Sequence, residues 1–313
     1  MTVIFVYHEK QNYGAGNALI SLEQFHKKHN IQTAMIYLYD IQNLSFLSKY
    51  PDPVVVCNTI AAYPLVEALS KTNVPTYWYI HEWIDSTYNW LQHFNPNVFH
   101  STIKPIFVCK ASFENYKERI PYIKNEMIMY NGIDQDTLYE KVNEFKVGRP
   151  DHLVIALIGS VEDRKNQQSF IDNVFCYLKQ PVTLLLVGRI MKPLNIKQIS
   201  KQNITSIGHV HNALPYIMSA DIIVSYSLNE VLPMHIIESF YCKKPVIATN
   251  VGGLKEMIED GVNGFIIQPN DSTMCIQRIN ELNKSKRDQI GEKAYETFIT
   301  KFEASVTFKL LSE

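Results

Sequence analysis

Two carboxylates, Glu230 and Glu238, bracket a stretch of otherwise apolar chain in NEVLPMHIIESFYCKKPVIATNVGG, residues 229–253. Pro233 suits a first helical position, where its missing N–H would go unsatisfied anyway, so Met234 to Lys243 reads as a helix. Glu230 then lies in the loop and Glu238 within the helix. A lone helical glutamate is ordinarily a solvated face, so its neighbours must decide its role. Upstream, VIALIGSVEDRKNQ places Arg164 and Lys165 just after Gly159, between a strand and a helix. Two cations there suit a diphosphate, because arginine offers a bidentate fork and lysine a compact charge; solvated cations are the plainer alternative. The stretch lacks the GxxxxGK[ST] pattern of a P-loop. His81 follows the apolar run Thr76 to Ile80, at the end of a strand where an imidazole can do proton or hydrogen-bond work. HEWID lacks the second histidine of HExxH, so zinc is not indicated.

Two weaker patterns complete the candidates. Gly14 and Gly16 precede a helix expected from near Asn17, where small residues let backbone amides approach a ligand, or simply form a turn. Leu19 occupies the third glycine position of a dinucleotide fingerprint, so nicotinamide binding is not supported. Asp134-Gln135-Asp136 could hold a divalent cation through two carboxylates, but aspartates are also expected in the turn-rich segment where it lies.

These side chains need strands and helices to position them. Val3 to Tyr7, Thr33 to Tyr37, Val54 to Cys57, Thr76 to Ile80, Ile106 to Cys109 and Met127 to Tyr130 read as six strands. Helical stretches, Ala18 to His29 and Tyr63 to Lys71 among them, fall between. A second set runs through Val154 to Ile158, Thr183 to Val187, Ile222 to Ser225, Val246 to Thr249 and Phe265 to Ile267. Apolar strands alternating with helices call for parallel sheets covered on both faces. Trp83, Ile84, Thr87, Tyr88, Leu91 and Phe94 recur at helical spacing and read as core before membrane contact. The boundary is expected near residue 147, giving domains 1–146 and 147–313 with the last helix packing back on the first. In open α/β sheets ligands sit at the carboxyl ends of strands.

Composition narrows the partners. The 313 residues are 46% hydrophobic and 19% charged with a formal net charge of −1, which opposes both disorder and a global electrostatic grip on nucleic acid. Cys57, Cys109, Cys176, Cys242 and Cys275 form no CxxC pair, so a reducing cytoplasm is expected, with no disulfide framework. No run reaches the ~18 apolar residues of a membrane-spanning helix.

Together the glycine pair, VPTYWYIHEW, PIFVCKASFENY, MIMYNGID, IGSVEDRKNQ and the run from ADIIVSYSLNEVLPMHIIESFYCKKPVIATNVGG to EDGVNGFIIQPND resemble glycosyltransferase family 4. These are retaining enzymes of the GT-B fold, two Rossmann-like α/β domains facing across a cleft. Glu230 and Glu238 match the family's E-x7-E spacing. The resemblance implies that Glu238 accepts hydrogen bonds from both ribose hydroxyls of a nucleotide and that Glu230 lies near the transferred sugar. Amides around Met234, His235 and Ile236 would meet donor phosphate or sugar. Lys165, aided by Arg164, would stabilise the departing diphosphate, Gly14 and Gly16 would adjoin the donor, and His81 would serve the acceptor side. No metal and no bound cofactor is expected.

The chain departs from the family at Ser160, where arginine is frequent, and at Val231, Ser239 and Lys243, where glycine, alanine and glycine are usual. The implied activity is transfer of a hexose-type sugar from a nucleotide diphosphate donor, UDP-sugar before GDP-sugar, to a carbohydrate or lipid-linked glycan acceptor. Bacterial surface-glycan assembly is the implied setting, in the cytoplasm with peripheral contact at the inner membrane face. The alternatives are a non-catalytic GT-B partner subunit and a nucleotide-sugar epimerase.

Overall fold

The computed structural model describes residues 1–8, 14–86, 94–100, 102–123, 126–136, 151–196 and 202–311. The chain forms two compact units, Met1–Asp134 with Phe302–Glu313, and Gln135–Lys301. The boundary expected near residue 147, with Gly148 and Pro150, lies outside the described residues, as do Thr87, Tyr88 and Leu91 of the aromatic stripe. Ile84 and Phe94 of that stripe are buried in the first core. Among the described residues no helix is long and apolar enough to cross a membrane.

The first unit contains β1 (Thr2–Tyr7), α1 (Gly14–Lys28), β2 (Gln32–Tyr37), β3 (Pro53–Asn58), α2 (Tyr63–Leu69), β4 (Thr76–Ile80), β5 (Ile103–Phe107), α3 (Lys110–Arg119) and β6 (Met127–Ile128). Its sheet is parallel, in the order β2-β1-β3-β4-β5-β6. Every residue of β1 and β4 is buried, as a central strand covered on both faces requires, whereas the edge strand β2 is only part-buried. Several boundaries differ from expectation: β6 ends at Ile128 rather than Tyr130, and the helices from Tyr63 and Met234 end at Leu69 and Tyr241, two residues early. α1 starts at Gly14 rather than near Asn17, and the fifth strand is Ile103–Phe107, while Cys109 caps α3 by accepting from the Ser112 amide.

The second unit contains β7 (Leu153–Ile158), α4 (Gln167–Asn173), β8 (Val182–Val187), β9 (Gln202–Gly208), α5 (Leu214–Ser219), β10 (Ile222–Ser225), α6 (Met234–Tyr241), β11 (Val246–Thr249), α7 (Leu254–Met257), β12 (Phe265–Ile267), α8 (Ser272–Glu281) and α9 (Lys284–Thr297). Its sheet is also parallel, in the order β12-β11-β10-β7-β8-β9. β9 is absent from the expected strands: QNITSIG is polar, as suits an edge strand, and among the described residues it pairs with β8 alone. After the second unit the chain returns to the first, where α10 (Ala304–Thr307) packs on α1.

Both sheets reverse their strand order once, at β1/β3 in the first and at β7/β10 in the second. Such a switch point leaves a crevice at the strand carboxyl ends, because the loops on its two sides run apart. Arg164 and Lys165 follow β7, and Glu230 follows β10.

Candidate active site

The loop after β7 is shaped by glycine. Gly159 has φ +133°, and a Cβ there would stand 3.3 Å from Cε and 3.4 Å from Nζ of Lys165, so the lysine arm lies along bare backbone. Gly188, with φ +150°, ends β8 so close that a Cβ would fall 2.1 Å from the Gly159 carbonyl oxygen. A single 3₁₀ turn, Asp163–Lys165, presents both cations, and Asn166 in the left-handed region redirects the chain into α4. Gln167 holds the loop: its amide donates to the Ser160 carbonyl at 2.8 Å and accepts from the Glu162 amide at 3.3 Å.

The loop after β10 meets this turn. The Leu228 amide donates to the Arg164 carbonyl at 2.8 Å, and the Thr249 hydroxyl donates to the Ser227 carbonyl at 2.5 Å. Glu230 is only 6% exposed. Its Oε1 pairs with Lys165 Nζ and accepts from the Ser227 hydroxyl at 2.8 Å, and its Oε2 lies 3.3 Å from Arg164 Nη1. Arg164 also donates to the Asn229 carbonyl at 2.9 Å and to Glu162 at 2.8 Å. Burial alone would raise the Glu230 pKa, but Lys165 and Arg164 outweigh it and hold the value at about 2. The carboxylate is therefore ionised. Burial, reinforced by Lys165, pushes His235 down to about 3, so its imidazole is neutral.

Met234, His235 and Ile236 form the first turn of α6, which Pro233 enters with no side-chain cap. Glu238 lies one turn on, part-buried, on the helix face it shares with His235. Thus Arg164, Lys165 and Glu230 are in direct contact, and His235 is in their field. Ser227, which anchors Glu230, escaped the sequence reading because a small hydroxyl in a loop carries no spacing signal.

The remaining candidates belong to the first unit. Gly14 and Gly16 lie inside α1, and a Cβ on Gly16 would stand 2.1 Å from the Tyr7 hydroxyl, so this glycine is required by packing. His81 follows β4, its ring 4.3 Å from that of Tyr79, and burial with His8 nearby drives its pKa to about 3. Asp134 is buried and paired with Lys28 of α1, which gives that half of the DxD a structural partner. Thr59, just past β3, has φ +64°, a strained conformation for a β-branched residue.

Glu82 was not foreseen as more than a neighbour of His81. Its Oε2 accepts from the Ile60 and His81 amides at 3.2 and 3.1 Å, while burial raises its pKa from 4.5 to about 7. A raised carboxyl stabilises fully below the unfolded value of 4.5, and that contribution is lost as pH rises through 7. Glu82→Gln keeps an acceptor without the charge. At pH 8 it should exceed the wild type by about 1–3 kcal/mol, and at pH 4 the two should coincide. Urea midpoints read by fluorescence of the buried Trp78 test this. Equal midpoints at pH 8 would refute it.

Residues 152–285 match the family model described as Glycosyl transferases group 1. An uncharacterized glycosyltransferase of Methanocaldococcus jannaschii is 28% identical over 58% of this chain and 53% of its own length. The capsular polysaccharide biosynthesis glycosyltransferase CapM of Staphylococcus aureus is 23% identical over 57% of this chain and 49% of its own. The chain thus spans about half the length of these curated relatives. Among solved structures, Anabaena HepE in complex with UDP and glucose superposes with a TM-score of 0.74 at 18% identity, over 98% of this chain and 97% of HepE. Sucrose-phosphate synthase from Thermosynechococcus elongatus gives 0.75 at 14% identity, over 98% and 96%. The fold is that of the GT-B glycosyltransferases, and residues 152–285 are similar to their group 1 family model.

Proposed function

We propose that this chain is a retaining glycosyltransferase that moves a hexose-type sugar from a nucleoside diphosphate donor to a hydroxyl of a carbohydrate or lipid-linked glycan. UDP-sugars are favoured over GDP-sugars, and bacterial surface-glycan assembly, in the cytoplasm at the inner membrane face, is the proposed setting. The observation that carries this reading is the contact of Lys165 and Arg164 with buried Glu230 at the β7/β10 switch point. HepE bound to UDP-glucose has the same fold, and CapM is named for capsular polysaccharide synthesis, which supports the donor class and the setting.

An incoming diphosphate competes with Glu230 for Lys165 and Arg164, and charge growing on the leaving phosphate strengthens its hold on both cations. Glu238 accepts from the ribose hydroxyls, the first-turn amides of α6 meet the phosphate or sugar, and Glu230 is released toward the transferred sugar. Gly14 and Gly16 adjoin the donor, and His81 contributes a neutral hydrogen bond on the acceptor side.

No metal ion or bound cofactor takes part in this reading. A nucleotide sugar at 100 times its dissociation constant should raise stability by about 2.7 kcal/mol, equally with and without EDTA. A thermal-shift panel of UDP- and GDP-sugars tests it. Donor binding lost on chelation and restored by manganese would overturn metal independence, and no shift with any nucleotide sugar would overturn the donor reading. A tight donor complex without turnover across an acceptor panel would favour the non-catalytic subunit.

A further inference from the structure

The imidazole of His235 is left without a role by the ion cluster it faces. The residue is 8% exposed, and its Nε2 is buried with no hydrogen-bond partner among the described residues. Its backbone carbonyl is engaged, accepting from the Ser239 hydroxyl at 2.5 Å, so the first turn of α6 is fixed while the ring nitrogen is not. An unpaired buried polar atom is destabilising, and a ligand that supplies the missing partner relieves that cost.

We infer that the His235 side chain is a binding residue for the donor's sugar, with Nε2 hydrogen-bonding one of its hydroxyl groups. This rests on the donor reading above. Lys165 and Arg164 already supply the positive charge that a diphosphate needs, and a second function remains for a group that is uncharged. A neutral imidazole both donates and accepts, as a sugar hydroxyl does, whereas a phosphate oxygen only accepts. Glu230, a pure acceptor in the same cluster, complements it: the pair can meet hydroxyls of either polarity. His235 and Glu238 also stand three residues apart on α6, so one helix face carries both the proposed sugar contact and the proposed ribose contact. His235 would thereby set which sugar the donor carries, because a site built to bond a hydroxyl rejects analogues that cannot make the bond.

The test compares two probes, UDP and UDP-glucose, by calorimetric titration of the wild type, His235→Ala and His235→Gln. Wild type should bind both. His235→Ala should lose about five- to tenfold in affinity for UDP-glucose and less than about twofold for UDP, the loss of one neutral hydrogen bond. His235→Gln, which places an amide near the Nε2 position, should recover most of that loss and also guards against an alanine variant that fails to fold. Equal losses for both probes would mean that the ring serves the diphosphate or only the fold, and unchanged affinity for both would mean that it serves neither; each result overturns the inference while leaving the donor reading intact. Wild type that binds neither probe would overturn both.

Discussion

Lys165→Ala should lower kcat by about 10²–10³-fold while changing donor affinity much less, because charge on the leaving diphosphate grows only toward the transition state. Glu238→Ala should behave in the opposite way. It removes charged hydrogen bonds to ribose hydroxyls that are present throughout the reaction, so donor binding should weaken by roughly 1.5–3 kcal/mol, chiefly in KM. Glu230→Ala should resemble Lys165→Ala if the carboxylate contacts the reacting sugar. The structure adds a control. Arg164 still reaches Glu230 Oε2, and Ser227 still donates to Oε1, when the lysine is absent, so the carboxylate keeps two partners and the loop its anchor. Turnover and calorimetric binding, measured separately with one donor, decide the matter. Small, equal effects from all three variants would place the reaction elsewhere.

Loss of Glu230 should also be costly to folding. Removing one partner of a buried ion pair typically costs about 3–5 kcal/mol, because the other charge is left uncompensated. Lys165 is only 12% exposed and cannot regain full hydration, so Glu230→Ala should fall in that range. Acid should reproduce part of the effect. The Glu230 pKa lies at about 2 in the fold against an ordinary 4.5, so its contribution is complete above pH 4.5 and lost as pH falls toward 2. The amount at stake is on the order of 3 kcal/mol. His235 acts in the same direction: its pKa falls from 6.5 to about 3, so stability declines as pH drops below 6.5. Amide exchange in peptides covering β7 and β10 should therefore accelerate from pH 6.5 downward and steepen below 4.5, after correction for intrinsic rates. Glu230→Gln should retain the first phase and lose the second. An unchanged second phase would show that another carboxylate controls it.

Central strands are legible because burial on both faces leaves a plain apolar run: Thr76–Ile80, Ile222–Ser225 and Val246–Thr249 have the limits expected from sequence, and so does the short apolar edge strand Phe265–Ile267. β9 is not legible, since an edge strand tolerates polar residues and QNITSIG resembles a loop. The adjacent cations and the two glutamates were visible from spacing, but the contact of Arg164 and Lys165 with a carboxylate 65 or 66 residues away depends on β7 and β10 being sheet neighbours. Strand order is not written in local pattern. Gly16 also has a packing reason, a tyrosine nine residues earlier, which no turn rule anticipates. Lys243, a departure from the family's usual glycine, has φ +53°, the left-handed region that explains why glycine is favoured there.

The return of residues 302–311 to the first unit bears on the order in which the chain can fold. The Leu311 amide donates to Nε2 of His26, 285 residues earlier, so Nδ1 carries the proton and donates to the Leu22 carbonyl at 2.8 Å. The Ile133 amide donates to the Phe302 carbonyl, Thr307 bonds the Tyr130 carbonyl, and Phe308 packs edge-on against Phe25. On a ribosome, α1 emerges long before the segment that covers it, whereas residues 135–301 form a contiguous unit able to fold as soon as they are clear. The second unit is thus made within an interruption of the first. Completion of the first unit waits for the end of this stretch, and until then Phe25 lacks the ring of Phe308 and His26 the amide of Leu311, although α1 already has β1, β2 and β3 to pack on.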